Sequence, residues 1–179
     1  ILNSKFFILR FQIMGYVEDT LGSGETIEYD VSFHWLWTFS AYTIFVIMGA
    51  AALALYLVFG PTTSIEATEP MIRLIPSLLL AVIGLVIFLY MMIKKWTTER
   101  VLSDIRFIQK TGWIARHTEE IRIDRMEEVN LDQSLFGRIL DYGDVQIAGV
   151  GTGEIKLKMI DSPIEFQKKL NDLKVRFAP

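Results

Sequence analysis

The chain has 179 residues, of which 51% are hydrophobic and 22% charged, with a mean hydropathy of +0.35 and a formal net charge of −3 at pH 7. That hydropathy is high for a soluble protein of this length while the charged fraction is ordinary, so the two populations must be segregated along the chain. The chain has no cysteine, which excludes disulfides, thiolate metal sites and a cysteine nucleophile, and its slight acidity argues against a general nucleic-acid binder.

The first stretch, ILNSKFFILRFQI, is apolar with Lys5 and Arg10 and precedes Met14. Two readings stand: an amphipathic segment lying on a membrane, or an extension ahead of a start at Met14. Asp19 occupies the place where a myristoylation signal needs Ser or Thr. Residues 1–35 as a whole are expected to form a cytoplasmic or interfacial lead.

No Asp, Glu, Lys or Arg occurs from 31 to 65. Within that run, residues 36–59 (LWTFSAYTIFVIMGAAALALYLVF) are long enough at 1.5 Å per residue to cross a hydrocarbon core of about 30 Å. A second charge-free run, residues 74–93 (LIPSLLLAVIGLVIFLYMMI), also suffices. Two transmembrane helices are predicted, and the short connection GPTTSIEATEPMIR makes 36–93 an antiparallel hairpin. The first run is too long, and too far along the chain, to read as a cleaved signal peptide.

Lys and Arg near the span ends set the orientation. The hairpin loop holds Arg73 alone, whereas Lys94, Lys95 and Arg100 follow the second span, so both termini are expected on the cytoplasmic side. Trp35, Trp37 and Trp96 fall at that same face as an aromatic belt. Lys94 and Lys95 there would each be attracted to anionic lipid by about 1 kcal/mol.

The first span carries a small-residue patch, Gly49, Ala50, Ala51, Ala52 and Ala54, suited to close helix packing either inside the hairpin or against a partner protein. Neither span has a charge at its middle, which argues against a transporter or proton pump. His34, beside Trp35, reads as an interfacial anchor. As a ligand to a pigment or haem it would lie off the hydrocarbon centre and lack a partner histidine.

From Lys94 on there are 15 basic and 14 acidic residues, and the apolar period falls to two. Ile121 and Ile123, Val129 and Leu131, Val145 and Ile147, and Ile155, Leu157 and Met159 each alternate with polar residues, as half-buried antiparallel strands do. Ser103-Asp104, Lys110-Thr111-Gly112 and Gly151-Thr152-Gly153 read as turns. Ser162-Pro163-Ile164-Glu165 reads as a capping box that opens a helix, with Ile164, Phe166, Leu170 and Leu173 at helical spacing. The expectation for 94–179 is a bent antiparallel β-sandwich or barrel closed by a C-terminal helix.

Several of these pieces, in order, resemble the bacterial PH-like membrane proteins known as bacterial PH domain 2. The segments are GYVEDTLGSGETIEYDVSFHW at 15–35, the two spans, and TERVLSDIRFIQKTGWIARHTEEIRIDRMEEVNLDQSLFGRILDYGDVQI at 98–147. The last contains a Q-S-x-x-G-R-x-x-x-Y-G corner: Gln133, Ser134, Gly137, Arg138, Tyr142 and Gly143. The resemblance implies a PH-like fold of two nearly orthogonal antiparallel sheets and a C-terminal helix. Many PH domains bind phosphoinositides through basic residues bracketing a flexible loop. This chain departs from that pattern: Ser103-Asp104 is short and acidic, and Arg100, Arg106, Lys110 and Arg116 are scattered among Glu99, Asp104, Glu119 and Glu120.

The corner itself reads as structural. Leu135, Phe136, Ile139 and Leu140 are expected to pin a short helix to the core, Gly137 to allow close approach and Gly143 to end the turn with φ > 0. Tyr142 is expected to pack its ring inward, and Arg138 to pair with Asp132 or Asp141. No catalytic constellation emerges: there is no G-x-S-x-G elbow, Gly149-Val150-Gly151-Thr152-Gly153 lacks the Lys-Ser/Thr ending of a phosphate loop, and His117 reads as solvated. No cofactor or metal site is expected. The function this implies is a non-enzymatic interaction module at the inner face of a bacterial cytoplasmic membrane, binding another membrane protein or a second copy as a scaffold or accessory subunit. An anionic-lipid organiser or sensor is the alternative, and an enzyme the outsider.

Overall fold

A computed structural model describes Val17, residues 20–59 and residues 70–177. The expected features at 1–13 and at 60–69 lie outside the described residues. The chain forms two compact units: Trp35–Ile93 is one, and the other joins the described residues before Trp35 to those from Lys94 on.

The first unit holds α1 (Trp35–Phe59) and most of α2 (Pro70–Thr97). Trp37 Nε1 donates to the Met91 carbonyl at 3.2 Å, so the start of α1 lies beside the end of α2 and the pair is antiparallel. The rings of Tyr42 and Phe45 each lie 5.1 Å from that of Phe88. At Gly84 a Cβ would come within 2.7 Å of Met48 Cβ, so this glycine lets the helices approach. Of the small residues expected at a packing seam, Ala52 is buried, but Gly49, Ala50, Ala51 and Ala54 are exposed. Large side chains on α1 set the phase of the seam, and the glycine that accommodates them comes from α2.

In the second unit the described residues form seven strands in two antiparallel sheets. The first has the order β1 (Ile27–Asp30), β2 (Glu99–Ser103), β3 (Arg106–Thr111), β4 (His117–Arg122). After a 3-10 turn at Ile123–Arg125 comes the second, in the order β5 (Met126–Asp132), β6 (Tyr142–Gly149), β7 (Thr152–Asp161). A short helix, α3 (Leu135–Leu140), joins β5 to β6, and α4 (Pro163–Phe177) follows β7. One core gathers Leu102, Phe107 and Ile121, then Val145, Ile147, Leu157 and Ile160, and Phe166, Leu170 and Leu173 of α4. The period-two residues face the core as expected except Met159, whose φ of 49° breaks the alternation and leaves Ile160 in the core instead, and the fold is the anticipated one of antiparallel sheets with a C-terminal helix.

Two local expectations fail. Residues 1–35 were set apart as a lead, yet β1 pairs with β2, and Val17 packs with Val101 and Ile108 on the outer face of the first sheet. Both faces of β2 are therefore buried, and its edge is covered by a strand that precedes α1 in the chain. Nor does a capping box open α4. Ser162 adopts φ 46° and donates its hydroxyl to Asp141 Oδ2 at 2.9 Å, while Ile164 is exposed. The tie to α3 has replaced the local cap.

Candidate interaction surface

The N-terminal segment is clamped to the first sheet by Glu25. Its carboxylate accepts from Ser103 Oγ at 2.6 Å, from Arg106 Nε and Nη2 at 3.0 Å each, and from the Gly22 amide at 2.8 Å. Arg106 also donates to Glu120 at 2.7 Å and to the Thr20 carbonyl at 3.0 Å. Burial pushes the Glu25 carboxyl up, but the hydrogen bonds from Arg106, Gly22 and Ser103 outweigh it and hold the group below its ordinary value. The same contacts raise Arg106.

Two other basic residues of the first sheet are buried, whereas Arg122 lies at the surface in a pair with Asp124. Lys110 Nζ donates to Glu99 Oε1 at 2.6 Å in a buried pair. Arg100 is buried, with its guanidinium carbon 4.2 Å from the Phe33 ring centre and Nε and Nη1 without hydrogen-bond partners. Burial lowers it to about 10, against the attraction of Asp144. Arg100, Arg106 and Lys110 thus serve internal contacts and do not bracket a loop.

His34 is 2% exposed, which overturns its reading as an interfacial anchor. Its ring lies 5.5 Å from that of Tyr142, its Nε2 3.7 Å from Asp161 Oδ1, and its amide donates to the Met159 carbonyl at 2.8 Å. Strand pairing draws this residue into the domain. His117 is exposed, 3.4 Å from Glu119.

At the corner, Ser134 caps α3 by accepting from the Gly137 amide at 3.0 Å. Gln133 Nε2 donates to the carbonyls of Gly137 and Tyr142 at 3.1 and 3.2 Å. A Cβ on Gly137 would meet the Tyr142 carbonyl at 2.6 Å, so the corner closes on a glycine for want of room. The left-handed residue that ends α3 is Asp141, at φ 56°, and not Gly143. Asp tolerates that conformation through local hydrogen bonding. Gly143 is constrained by space instead: a Cβ there would lie 3.1 Å from the Asp132 carbonyl and 3.2 Å from Leu131 and Pro163. Tyr142 is half-buried.

The apolar residues of α3 are the largest departure from expectation. Leu135, Phe136, Ile139 and Leu140 do not enter the core and remain exposed. The helix is held by Gln133, Ser134 and Gly137, so its apolar side chains are not needed for anchoring. Arg138 is exposed as well and forms no ion pair with Asp132 or Asp141. Beside it a shallow open hollow is lined by Leu131, Asp132, Gln133, Arg138 and Ile164. Trp113 and Ile114, in the turn between β3 and β4, are likewise exposed. Sequence reasoning passed over this pair, although two large apolar residues beside the turn glycine Gly112 are a readable signal.

Trp35, Lys94 and Trp96 are exposed, and Trp37 and Lys95 half-buried. Among the described residues no group of three His, Cys, Asp or Glu could hold a metal ion. The cations Arg106 and Lys110 are engaged in internal pairs, while the apolar side chains of α3 and of the β3–β4 turn are displayed.

Neither the curated proteins nor the solved structures compared with the chain gave a match. The family profile described as bacterial PH domain matches residues 35–174, spanning both apolar helices, strands β2 to β7 and most of α4. PH domains are in general non-catalytic interaction modules. With more than half of its length matched, the chain belongs to the bacterial PH domain family.

Proposed function

We propose that this chain is a membrane-anchored, non-catalytic interaction module. In this reading α1 and α2 cross the bacterial cytoplasmic membrane as a hairpin, with both chain ends cytoplasmic. The PH-like domain, made of 94–179 and the segment before α1, stands at the inner face and binds another membrane protein or a second copy, as a scaffold or accessory subunit.

One observation carries the anchoring. The most apolar windows of α1 and α2 are 11% buried, although they are the most apolar parts of the chain. A core helix of a soluble protein would hide such surface, and the apolar spans of 24 residues within each helix, Trp35–Val58 and Leu74–Thr97, suit a bilayer. Lys94 and Lys95 against Arg73 support the orientation. Exposed Gly49, Ala50, Ala51 and Ala54 offer α1 a second packing face beyond the hairpin.

Native mass spectrometry after gentle detergent extraction of the tagged chain tests the partner. Proteins of other sequence at fixed ratio support the accessory-subunit role, and a homo-oligomer supports self-assembly. A monomer carrying lipid alone sinks both protein-partner forms and favours binding of anionic lipid, for which Lys94, Lys95 and Trp96 are the contact residues.

A further inference from the structure

Outside α1 and α2, two groups of large apolar side chains stand largely exposed. Trp113 and Ile114 are 70% and 92% exposed in the β3–β4 turn, and Leu135, Phe136 and Ile139 are 78%, 72% and 78% exposed on α3. Strand register locates both groups. The chain enters the first sheet at Glu99, with only Thr98 between it and the last residue of α2. Glu99 pairs with Lys110, so β3 runs back to the point of arrival and delivers the turn at 112–116 beside it.

In the second sheet the chain leaves for α1 directly after Phe33 and His34. These are bonded to Ile160 and to the Met159 carbonyl. Ile160 pairs with Gly143, and Asp161 with Tyr142, two residues beyond the end of α3. The turn with Trp113 and Ile114 therefore lies where the chain arrives from α2, and α3 lies where it departs for α1. The opposite ends of the strands expose Ile27 and Ile105, 38% and 40%, and Val150, 55%, while Val175 and Phe177 are exposed at the end of α4.

We propose that this end of the domain is seated in the interfacial layer of the bilayer, with Trp113, Ile114 and the outer face of α3 among the lipid headgroups and upper acyl chains. The proposal rests on the anchoring reading above. A single residue between α2 and β2 gives a slack of about 3.5 Å, which holds the point of arrival at the membrane surface. A Trp beside a large aliphatic residue, and a short helix displaying Leu, Phe and Ile, match the chemistry of that layer, where an apolar body and a wet rim are both satisfied. Lys94 and Lys95 fall in the last turn of α2 and Arg116 directly precedes β4, and their charge complements anionic headgroups. A lipid surface covers both groups at once, though they belong to different sheets.

The chain has no cysteine, so single nitroxide labels can be introduced without altering it further. Ile114→Cys, Ile139→Cys, Val150→Cys and Val86→Cys are all at exposed positions. Each labelled full-length chain is reconstituted in vesicles of phosphatidylethanolamine and phosphatidylglycerol. Relaxation of the label by dissolved oxygen, which concentrates in lipid, is compared with that by a water-soluble nickel chelate. The expected result is oxygen-dominated relaxation at positions 86, 114 and 139 and nickel-dominated relaxation at 150. Lipid behaviour at 86 with aqueous behaviour at 114 and 139 overturns the proposal and leaves the anchoring intact. Shielding of 114 and 139 from both reagents also overturns it, because protein then covers the surface. Aqueous behaviour at 86 removes the anchoring, and this proposal with it.

Discussion

The two units of this chain use apolar side chains in opposite ways. In the domain, Phe107, Leu157 and Phe166 are fully buried and hold sheet to sheet and sheet to helix. In the hairpin, Leu53, Val58 and Val86 are more than half exposed although their helices are the more apolar. Hydrophobicity alone therefore does not mark a core. What marks it is whether the pattern leaves a second face for water: the strands alternate, and the hairpin helices do not.

Substitutions can break or sharpen this contrast. The largest effect is expected for Phe107→Ala, which empties a fully buried site in contact with the Phe166 ring, 5.9 Å away between centroids. It should cost about 3–5 kcal/mol, read as lost hydrogen-exchange protection across β2, β3 and α4 in the full chain. Protection left unchanged would mean that the sheets do not share one core.

Next comes Glu25→Gln, which removes the charge from the clamp on Arg106. A loss of about 2–3 kcal/mol is expected at neutral pH, with early exchange in β1. The sign with pH follows from the direction of the shift. The folded carboxyl lies below its ordinary 4.5, so its contribution is present above that value and is lost as pH falls through the folded value. The gap between wild type and variant should therefore narrow on acidification. A gap that widens would place the charge in an unfavourable setting.

Gly137→Ala tests the corner. Its Cβ must displace the Tyr142 carbonyl, and about 1–3 kcal/mol should be lost, seen as a lower unfolding temperature. The smallest effect is expected for Leu53→Ala on the outside of α1, within about 0.5 kcal/mol in detergent, since no protein cavity is created. A large loss there would show that protein covers this face.

Much of this was legible in the chain. The two apolar helices, the period-two strands from β4 to β7 and the amphipathic α4 follow from hydrophobic period. The corner motif and the segments around it carry the family resemblance. β1 was missed, although Ile27, Tyr29 and Val31 alternate with Glu28 and Asp30, because the charge-free run that begins at Val31 drew the segment toward the membrane. A fragment starting at residue 96 would accordingly lack both β1 and the Glu25 clamp.

The sequence by itself determined which segments could be helix or strand, because period and charge are local properties. Where α3 points its Leu135, Phe136 and Ile139, which residue takes the left-handed turn, and whether His34 belongs to the spans or to the domain were decided by tertiary structure. Each depends on contacts between residues far apart in the chain: Ser162 with Asp141, His34 with Met159 and Asp161, and Glu25 with Arg106. The same division explains the exposed end of the domain. Local pattern supplied the apolar residues, and only strand register brought them to the end at which both apolar helices attach.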